Sequence, residues 1–574
     1  MVPSAHPAPE WGAIRVGDDR WRISTWAPGR DRITLDLDGR DVAMERRDDG
    51  WHVAEIDAAS GTPYTLVSDG ARFADPASRA QAGALEGPSR LVDPRTFTGG
   101  DGWTGRPWEE AAILEVHLGT FTEEGTLRAA ARELPRLAGL GITAVELLPI
   151  AHFAGRRGWG YDGVLPYAPH PAYGTPEDLR AFVDAAHAEG VMVMLDVVYN
   201  HFGPSGDVLH TLCPSFFTDA RSTPWGSAID FDRPEVRAFF IDNAAMWIRD
   251  YGIDGLRLDA VHEIGRRDES DFLIELGTAI RDLDLGRPVH LVTEDERNLV
   301  DYIAPEDGRF RAQWNDDFHH AVHVTLTGES QSYYEPFSAD PFGDLAKALR
   351  EGQVDQGQER PFGHEGRGEP SGHMPPQTFV NSIQTHDQVG NRAAGDRLLT
   401  LADPDHVRVA YALLCLAPFV PMIFMGEEVG SRAPFQFFAD FEGDLAEAVS
   451  KGRRSEFPDF ADAEVPDPIA EETFLASRPY ADAPDRAAWE ALTGELLRLR
   501  QDRIVPLLKS GWSGTEVEVA ADRALRAVWT FQGGRLEIRL CLGTKWNWTQ
   551  DMTSIFGIGT MGEDDFAISV GMAQ

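Results

Sequence analysis

The stretch that decides the fold is Gly252-Ile-Asp-Gly-Leu-Arg-Leu-Asp-Ala-Val-His262. Its apolar residues predict a turn followed by a buried strand, and its polar residues collect at the end of that strand. Arg257 and Asp259 lie two positions apart, so on a strand their side chains share one face. A guanidinium group and a carboxylate are costly to bury, and the cation would keep Asp259 ionised. The pair is therefore either a structural ion pair or part of a site that requires an ionised carboxylate.

Seven further stretches predict buried strands, and helical patterns separate them. These stretches are residues 111–119, 144–150, 191–198, 289–293, 312–314, 378–383 and 420–425. One helix is predicted to begin at Pro176, with Thr175 as its cap, and to end at Gly190. Buried strands that alternate with helices indicate a parallel sheet with both faces covered. We therefore predict an α/β fold, a (β/α)8 TIM barrel. A doubly wound open sheet is the alternative, but no predicted strand is followed by a glycine-rich phosphate-binding turn.

The regions on both sides of the barrel show the alternating pattern of antiparallel sheets. Short runs separated by Asp-Gly turns predict an N-terminal β-sandwich over residues 1–93, with its aromatic residues in the core. A linker rich in proline and glycine follows over residues 94–107, and the barrel with its insertions is assigned to residues 108–480. A C-terminal β domain is assigned to residues 481–574, although its last thirty or so residues show no clear pattern.

Charge and composition exclude several kinds of partner. The formal net charge is −40, so neither nucleic acid nor an anionic membrane surface is an expected partner. The 3 cysteines lie far apart and give neither a disulfide framework nor zinc-ligand spacing, which favours a reducing compartment. No secretory signal and no apolar stretch of transmembrane length is visible. We therefore expect a soluble, cytoplasmic protein that acts on a neutral substrate.

Polar residues gather where four of the predicted strands end. The four stretches are Asp196-Val-Val-Tyr-Asn-His201, Arg257-Leu-Asp-Ala-Val-His262, Thr293-Glu-Asp295 and Gln384-Thr-His-Asp-Gln-Val-Gly-Asn391. Each stretch alone could supply helix caps or loop ion pairs. Active sites of parallel barrels lie at the carboxyl ends of the strands, so together the four stretches predict one shared site.

Two carboxyl groups on neighbouring strands suit the cleavage of a glycosidic bond. Retaining glycosidases hold a nucleophile and an acid/base roughly 5–5.5 Å apart. Adjacent strands lie about 4.7–4.9 Å apart, so Asp259 and Glu294 can meet that requirement. Asp259, with Arg257 beside it, is the predicted nucleophile. Glu294 has Asp259 nearby and no basic residue within three positions before it or one after it, so it is expected to hold a proton, as a general acid must.

These four stretches resemble the signature regions of the α-amylase superfamily, glycoside hydrolase family 13. The resemblance implies a retaining mechanism on α-glucosidic bonds, with Asp259 as nucleophile, Glu294 as acid/base and Asp387 as the third carboxylate. It requires no metal ion and no cofactor, and we expect none. The sequence departs from the superfamily at Thr385, where asparagine is usual. The resemblance assigns substrate binding to Tyr161, Asp162, His201, Arg257, His262, Asn315, Asp316, Asp317, His386, Gln388 and Asn391.

Within this superfamily, residues 147–150, 155–164, 199–206, 313–320, 424–428 and 434–438 are similar to members that release trehalose. The implied substrate is a malto-oligosaccharide with a trehalose end, and the implied partner is a maltooligosyltrehalose synthase that acts before this protein. The N-terminal sandwich resembles the carbohydrate-binding-like domain of such enzymes. For residues 315–320, a polar loop at the barrel rim is the alternative, and for Tyr161 it is loop packing. A glucan branching enzyme and a non-catalytic glucan-binding protein are the alternative functions.

Overall fold

The structure is a computed structural model that describes residues 11–97, 99, 102–223, 226–264, 271–303, 309–457, 465–548 and 552–573. Its first nine strands are β1 (Gly12–Arg15), β2 (Arg20–Trp26), β3 (Thr34–Leu37), β4 (Arg40–Ala43), β5 (Glu45–Arg46), β6 (Trp51–Asp57), β7 (Pro63–Ser68), β8 (Ala71–Phe73) and β9 (Ser89–Arg90). They form two antiparallel sheets, in the orders β1-β2-β6-β5 and β4-β3-β7-β8, with β9 paired to β7. Trp21, Trp26, Trp51 and Tyr64 are buried in the core, as predicted.

The next strands carry the barrel. They are β10 (Ile113–Val116), β11 (Ala144–Leu147), β12 (Ala151–His152), β13 (Leu165–Pro169), β14 (Met192–Val197), β15 (Phe217–Thr223), β16 (Gly226–Ile229), β17 (Gly255–Leu258), β18 (His290–Thr293), β19 (Ala312–Trp314), β20 (Phe379–Asn381) and β21 (Val420–Phe424). Strands β10, β11, β14, β17, β18, β19, β20 and β21 close into one barrel in that order. The predicted (β/α)8 barrel is confirmed, and the open-sheet alternative is wrong. Strands β12 with β13 and β15 with β16 form separate hairpins.

Helices connect the barrel strands and cover their outer face. Their bounds are α1 (Leu118–Phe121), α2 (Leu127–Ala131), α3 (Leu134–Leu140), α4 (Pro176–Ala188), α5 (Leu209–Leu212), α6 (Pro234–Asp250), α7 (Asp271–Arg281), α8 (Asp316–Thr327), α9 (Pro341–Glu351), α10 (His386–Gly390), α11 (Leu398–Leu401), α12 (Pro404–Leu416), α13 (Gly443–Ser455), α14 (Glu471–Ala476), α15 (Arg486–Leu499) and α16 (Val505–Ser510). Helix α4 begins as predicted, because Thr175 and Asp178 cap each other's backbone amides. None of the helices within the described residues combines the length and the apolar character that a bilayer crossing requires.

A further antiparallel sheet ends the chain. Its strands are β22 (Trp512–Ala521), β23 (Ala524–Phe531), β24 (Gly534–Leu542), β25 (Ser554–Ile558) and β26 (Phe566–Ala573), in the order β22-β23-β24-β26-β25. Strands β25 and β26 lie in the stretch where the sequence shows no clear pattern, so those residues complete the C-terminal sheet. The domain limits at residues 93, 107 and 480 stay predictions.

Inside the barrel, the side chains change from apolar to polar toward the carboxyl ends of the strands. Ile113, Ala144 and Met194 belong to one apolar layer. Two residues further along their strands stand Glu115, Glu146 and Asp196, which are also buried. Alternate residues of a strand face the same side, so these acids lie in the layer directly below the strand ends. The site therefore rests on a polar floor.

Candidate active site

Two carboxyl groups share one guanidinium group at the ends of neighbouring strands. Strands β17 and β18 are parallel, with Leu258 opposite Thr293, so Asp259 and Glu294 leave the strands side by side. Arg257 Nη1 lies 3.0 Å from Asp259 Oδ1, and Arg257 Nη2 lies 2.6 Å from Glu294 Oε2. The structure therefore brings the two predicted carboxyl groups together at the same mouth of the barrel.

The sequence argument about the surroundings of Glu294 is wrong in one respect. It expected no cation beside this residue, whereas Arg257 contacts it directly. The contact crosses from strand β17 to strand β18, so the chain neighbours of Glu294 could not reveal it. The Ala260 amide also donates to Glu294 Oε2, at 2.9 Å. Ala260 has a φ of 41°, a left-handed conformation that is uncommon for alanine and directs this amide to the carboxyl group.

Arg257 is held in place from below. Its Nη1 donates to Asp196 Oδ2 at 2.5 Å, and the Trp314 ring centroid lies 4.0 Å from its Cζ. Burial acts to lower the pKa of Arg257, but Asp196 and Glu294 raise it above its usual value. Burial also raises the pKa of Asp196 to about 7. The guanidinium group is thus fixed and fully charged beneath both carboxyl groups.

Asn200 and the predicted His201 orient Asp259 from the other side. Asn200 Nδ2 donates to Asp259 Oδ2 at 2.7 Å and to the Asp259 carbonyl oxygen at 2.8 Å. His201 Nδ1 contacts Asn200 Oδ1, and His201 Nε2 lies 3.0 Å from the Tyr161 carbonyl oxygen. Each carboxylate oxygen of Asp259 therefore has its own partner. Sequence reasoning missed the role of Asn200, although it belongs to the stretch that ends at His201.

The third carboxylate, Asp387, stands at the start of helix α10. Thr385 is the cap of this helix, and its hydroxyl accepts a hydrogen bond from the Asp387 amide at 3.2 Å. Asn391 Nδ2 donates to Asp387 Oδ1 at 2.7 Å. Burial raises the pKa of the Asp387 carboxyl group. The threonine that departs from the superfamily thus supports the backbone that carries Asp387.

His386 joins the first barrel strand to the aromatic residues Trp159 and Tyr161. Its Nδ1 lies 2.5 Å from Glu115 Oε1, and its amide donates to Glu115 Oε2 at 3.0 Å. Burial acts to lower the pKa of His386, but Glu115 raises it above its ordinary value. The ring stacks on Tyr161, with centroids 5.1 Å apart, and meets Trp159 edge-on. Glu115 is a further residue that the sequence did not single out, because it stands within an otherwise apolar strand.

Tyr161 reaches into the polar floor. Its hydroxyl donates to Asp196 Oδ2 at 2.6 Å, so the ring is fixed at both its hydroxyl end and its stacked face. Burial raises the pKa of the neighbouring Asp162 to about 6. His262 lies in a short turn after β17, with Nε2 3.6 Å from Glu296 Oε1.

Of the predicted cluster at residues 315–317, only Asp316 faces the carboxyl groups. Gln388 Nε2 donates to Asp316 Oδ1 at 3.1 Å. Burial raises the pKa of Asp316 to about 7, and the charges of Glu294 and Asp387 contribute to this rise. Asp316 and Gln388 therefore form one edge of the site next to the third carboxylate.

Asn315 and Asp317 point elsewhere. Asn315 Nδ2 donates to the Gly352 carbonyl oxygen at 2.8 Å. Asp317 Oδ2 accepts hydrogen bonds from the backbone amides of Val354 and Asp355, both at 2.8 Å. These two side chains hold the loop after α9 against the barrel, so their contacts do not support a direct role in substrate binding.

Glu146 is a buried acid that the sequence pattern did not reveal. Neither of its carboxyl oxygens has a hydrogen-bond partner among the residues that the structure describes. Burial raises its pKa well above the ordinary value, and the charge of Asp196 adds to the effect. Folding therefore favours the protonated form of Glu146.

The protonation of Glu146 predicts a pH dependence of stability. The unfolded chain ionises this group near its ordinary pKa of 4.5, whereas the folded chain retains the proton. The free energy of unfolding must therefore fall as pH rises above that value, in total by about 1.4 kcal/mol for each unit of pKa difference. Glu146→Gln lacks this loss, so we expect its Tm minus that of the unaltered protein to be larger at pH 8 than at pH 5. Calorimetry measures the Tm of the variant and of the unaltered protein at each pH. The variant Glu45→Gln, at an exposed position, is the control. An equal difference at the two pH values contradicts the assignment.

Within the described part of the chain, no group of three or more histidine, cysteine, aspartate or glutamate side chains is arranged to hold a metal ion. That the reaction needs no metal stays a prediction.

Known proteins with similar sequences and structures identify the family. The sequence model of the protein family described as "Alpha amylase, catalytic domain" matches residues 91–213. Malto-oligosyltrehalose trehalohydrolase of Deinococcus radiodurans is 42% identical over 496 residues, which cover 84% of this chain and 81% of that protein. The chain belongs to the malto-oligosyltrehalose trehalohydrolase family. The malto-oligosyltrehalose trehalohydrolase of Arthrobacter ramosus is 41% identical and covers 91% of this chain and 92% of its own length.

A solved structure shows the same fold along the chain. The crystal structure of a protein assigned as an alpha amylase from Salmonella typhimurium has a TM-score of 0.94 and 44% identity. The match covers 99% of this chain and 100% of that chain. A 1,4-alpha-glucan branching enzyme from Bordetella bronchiseptica is 34% identical, but over only 43% of this chain and 38% of its own length. The similarity thus extends over most of the chain for the trehalohydrolase relatives, 84% and 91% of it, and over less than half for the branching enzyme.

Proposed function

We propose that this protein is a retaining glycoside hydrolase that cleaves the α-1,4-glucosidic bond next to the terminal trehalose of maltooligosyltrehalose. The products are trehalose and a malto-oligosaccharide. The observation that carries the proposal is the contact of Asp259 and Glu294 with one guanidinium group, that of Arg257. The names of the relatives supply the substrate. Hydrolysis of this kind needs two carboxyl groups at a short separation. The contact of both groups with Arg257 holds them close together.

The first step breaks the glycosidic bond. A carboxylate oxygen of Asp259 attacks the anomeric carbon, and Glu294 gives its proton to the oxygen of the leaving trehalose. Arg257 and Ala260 both contact Glu294 Oε2, so the proton and the glycosidic oxygen belong at Oε1. In the second step Glu294 takes a proton from water, and that water releases the malto-oligosaccharide from Asp259.

The remaining residues bind and orient the sugar that reacts. Asp387, held by Asn391, binds hydroxyl groups of this sugar and favours the distorted ring of the transition state. Tyr161 and His386 form a stacked wall on which the apolar face of the ring packs. His201, Asp162, His262, Asp316 and Gln388 are the further proposed contacts. Asn315 and Asp317 are positioning residues.

We also propose a place in a reaction sequence. The substrate carries an α,α-1,1 linkage at its end, so a maltooligosyltrehalose synthase must form it before this protein acts. A cytoplasmic location fits that order and stays a prediction.

Product analysis on one substrate tests the function. Incubation of the protein with maltooligosyltrehalose is expected to release free trehalose, which chromatography and NMR detect. Incubation with plain maltoheptaose tests the branching alternative, because a transferase would form new α-1,6 linkages. A protein that forms such linkages and releases no trehalose is a branching enzyme, and one that does neither but binds glucan is a binding protein.

A further inference from the structure

A cleft of about 700 Å³ lies between the N-terminal sheets and the barrel. One wall is the loop between β8 and β9, which contributes Leu85. The other wall comes from the loop after β12 and from the residues before α13, including Phe153 and Phe441. Its volume is within the range of ligand-binding clefts, which commonly form where domains meet.

One lining residue of this cleft carries a buried polar atom with no partner among the described residues. His152 is 4% exposed and lines the cleft, and its Nδ1 has no hydrogen-bond partner within the described residues. Burial lowers the pKa of His152 to about 4, so the imidazole is neutral at pH 7. A neutral imidazole donates with one nitrogen and accepts with the other. A hydroxyl group, which also does both, is the ligand group that matches it.

The other lining residues favour a neutral ligand with an apolar face. Glu86, Asp440 and Glu442 line the cleft together with Arg156, so acidic groups outnumber the basic one. This excess of negative charge disfavours anions. Carboxylates accept hydrogen bonds from hydroxyl groups, and the apolar residues beside them suit the C–H face of a sugar ring. The chemistry therefore matches a carbohydrate.

The cleft lies close to the proposed active site. Arg156 in the cleft and Tyr161 at the site belong to one loop, and five positions of chain span at most about 18 Å. Ser205 in the cleft likewise follows His201 by four positions. The Gly203 amide donates to the Gly163 carbonyl oxygen at 3.2 Å, which ties these two loops together.

We propose that this cleft binds the distal glucose units of the malto-oligosaccharide chain, beyond the sugar that Asp259 attacks. The proposal rests on the proposed function. Trehalose supplies only two units on its side of the cleaved bond, so any extended binding region must serve the malto-oligosaccharide side. The cleft then makes hydrolysis depend on chain length, because only substrates with several glucose units reach it.

Filling the cleft tests the proposal. Ala154→Trp places a large side chain in it, and His152→Ala removes the unpartnered nitrogen; Ala71→Trp, on the exposed strand β8, is the matched control. Each protein is assayed with a trehalose-ended substrate of one further glucose unit and with one of five. Both cleft variants are expected to lower kcat/KM at least fivefold on the long substrate and less than twofold on the short one. Equal losses on the two substrates, or none, overturn the proposal.

A binding measurement keeps this test separate from that of the function. Titration calorimetry with plain maltoheptaose is expected to show a Kd at least fivefold weaker for Ala154→Trp than for Ala71→Trp. This result supports the cleft even if the unaltered protein releases no trehalose, which would contradict the proposed function alone. An unchanged Kd in Ala154→Trp overturns the proposal, whatever the hydrolytic activity.

Discussion

Replacing Asp259 by alanine is expected to lower kcat on maltooligosyltrehalose by about 10⁴-fold or more, the order seen when one member of a catalytic group is removed. The variant should remain folded, because Arg257 keeps its contacts with Asp196 and Glu294. The loss should fall on kcat, since Asp259 acts on the bond that breaks. Single-turnover kinetics with trehalose as the product measures the effect.

Asp254 provides the matched control for this change. It precedes the same strand at the opposite end of the barrel, where it is buried and contacts His187 and Arg287. Asp254→Asn is expected to lower Tm and to leave kcat of the folded protein within twofold. Azide adds a chemical criterion: in the Asp259→Ala variant it should attack the α-linked anomeric carbon and form a β-glucosyl azide. If Asp259→Ala retains a tenth of the activity, the nucleophile lies elsewhere.

Arg257 is the second position at which a large effect is expected. Asp196, Asp259 and Glu294 all contact its guanidinium group. Lysine retains the charge but lacks the planar fork that reaches both carboxyl groups at once. Arg257→Lys should therefore fold and lose about 10²–10³-fold in kcat, comparable to the loss of an electrostatic contact in a transition state. Arg257→Met leaves the carboxylates uncompensated and should cost about 3–5 kcal/mol of stability.

Calorimetry and kinetics separate these two effects. Arg287 is the matched control, because it is also mostly buried and donates to Asp254 at 2.9 Å, away from the proposed site. Arg287→Lys is expected to change Tm without changing kcat. Normal activity in Arg257→Lys would show that its charge alone suffices and that the fork geometry has no role.

The barrel could be predicted because its strands are buried on both faces and therefore appear as short apolar runs. Parallel pairing then fixes which residues emerge together, which is why Asp259 and Glu294 were expected side by side. The acids Glu115 and Glu146 could not be predicted in the same way, because each is a single polar residue within an apolar strand. Their surroundings depend on alternate faces of several strands, which no single stretch shows.

Contacts between distant parts of the chain were the main source of error. The cation beside Glu294 is Arg257, which comes from another strand. The carboxylate of Asp317 accepts hydrogen bonds from the backbone amides of Val354 and Asp355 in a distant loop. The contacts of Asp317 thus support a loop, and its role in substrate binding stays a prediction. The C-terminal strands β25 and β26 were missed because neither shows a clear alternation: β25 is mostly exposed or half-buried, and the buried residues of β26 occur in adjacent pairs.

The hydrogen bonds from Glu115 to His386 have a consequence for how the enzyme is made. Glu115 belongs to the first barrel strand, and His386 follows the seventh, while the eighth strand closes the ring by pairing with the first. Most of the polypeptide must therefore be synthesised before Glu115 and His386 can form these hydrogen bonds within a closed barrel. Partly synthesised chains cannot hydrolyse glucan, because the pocket has no complete wall until the last barrel strand is in place.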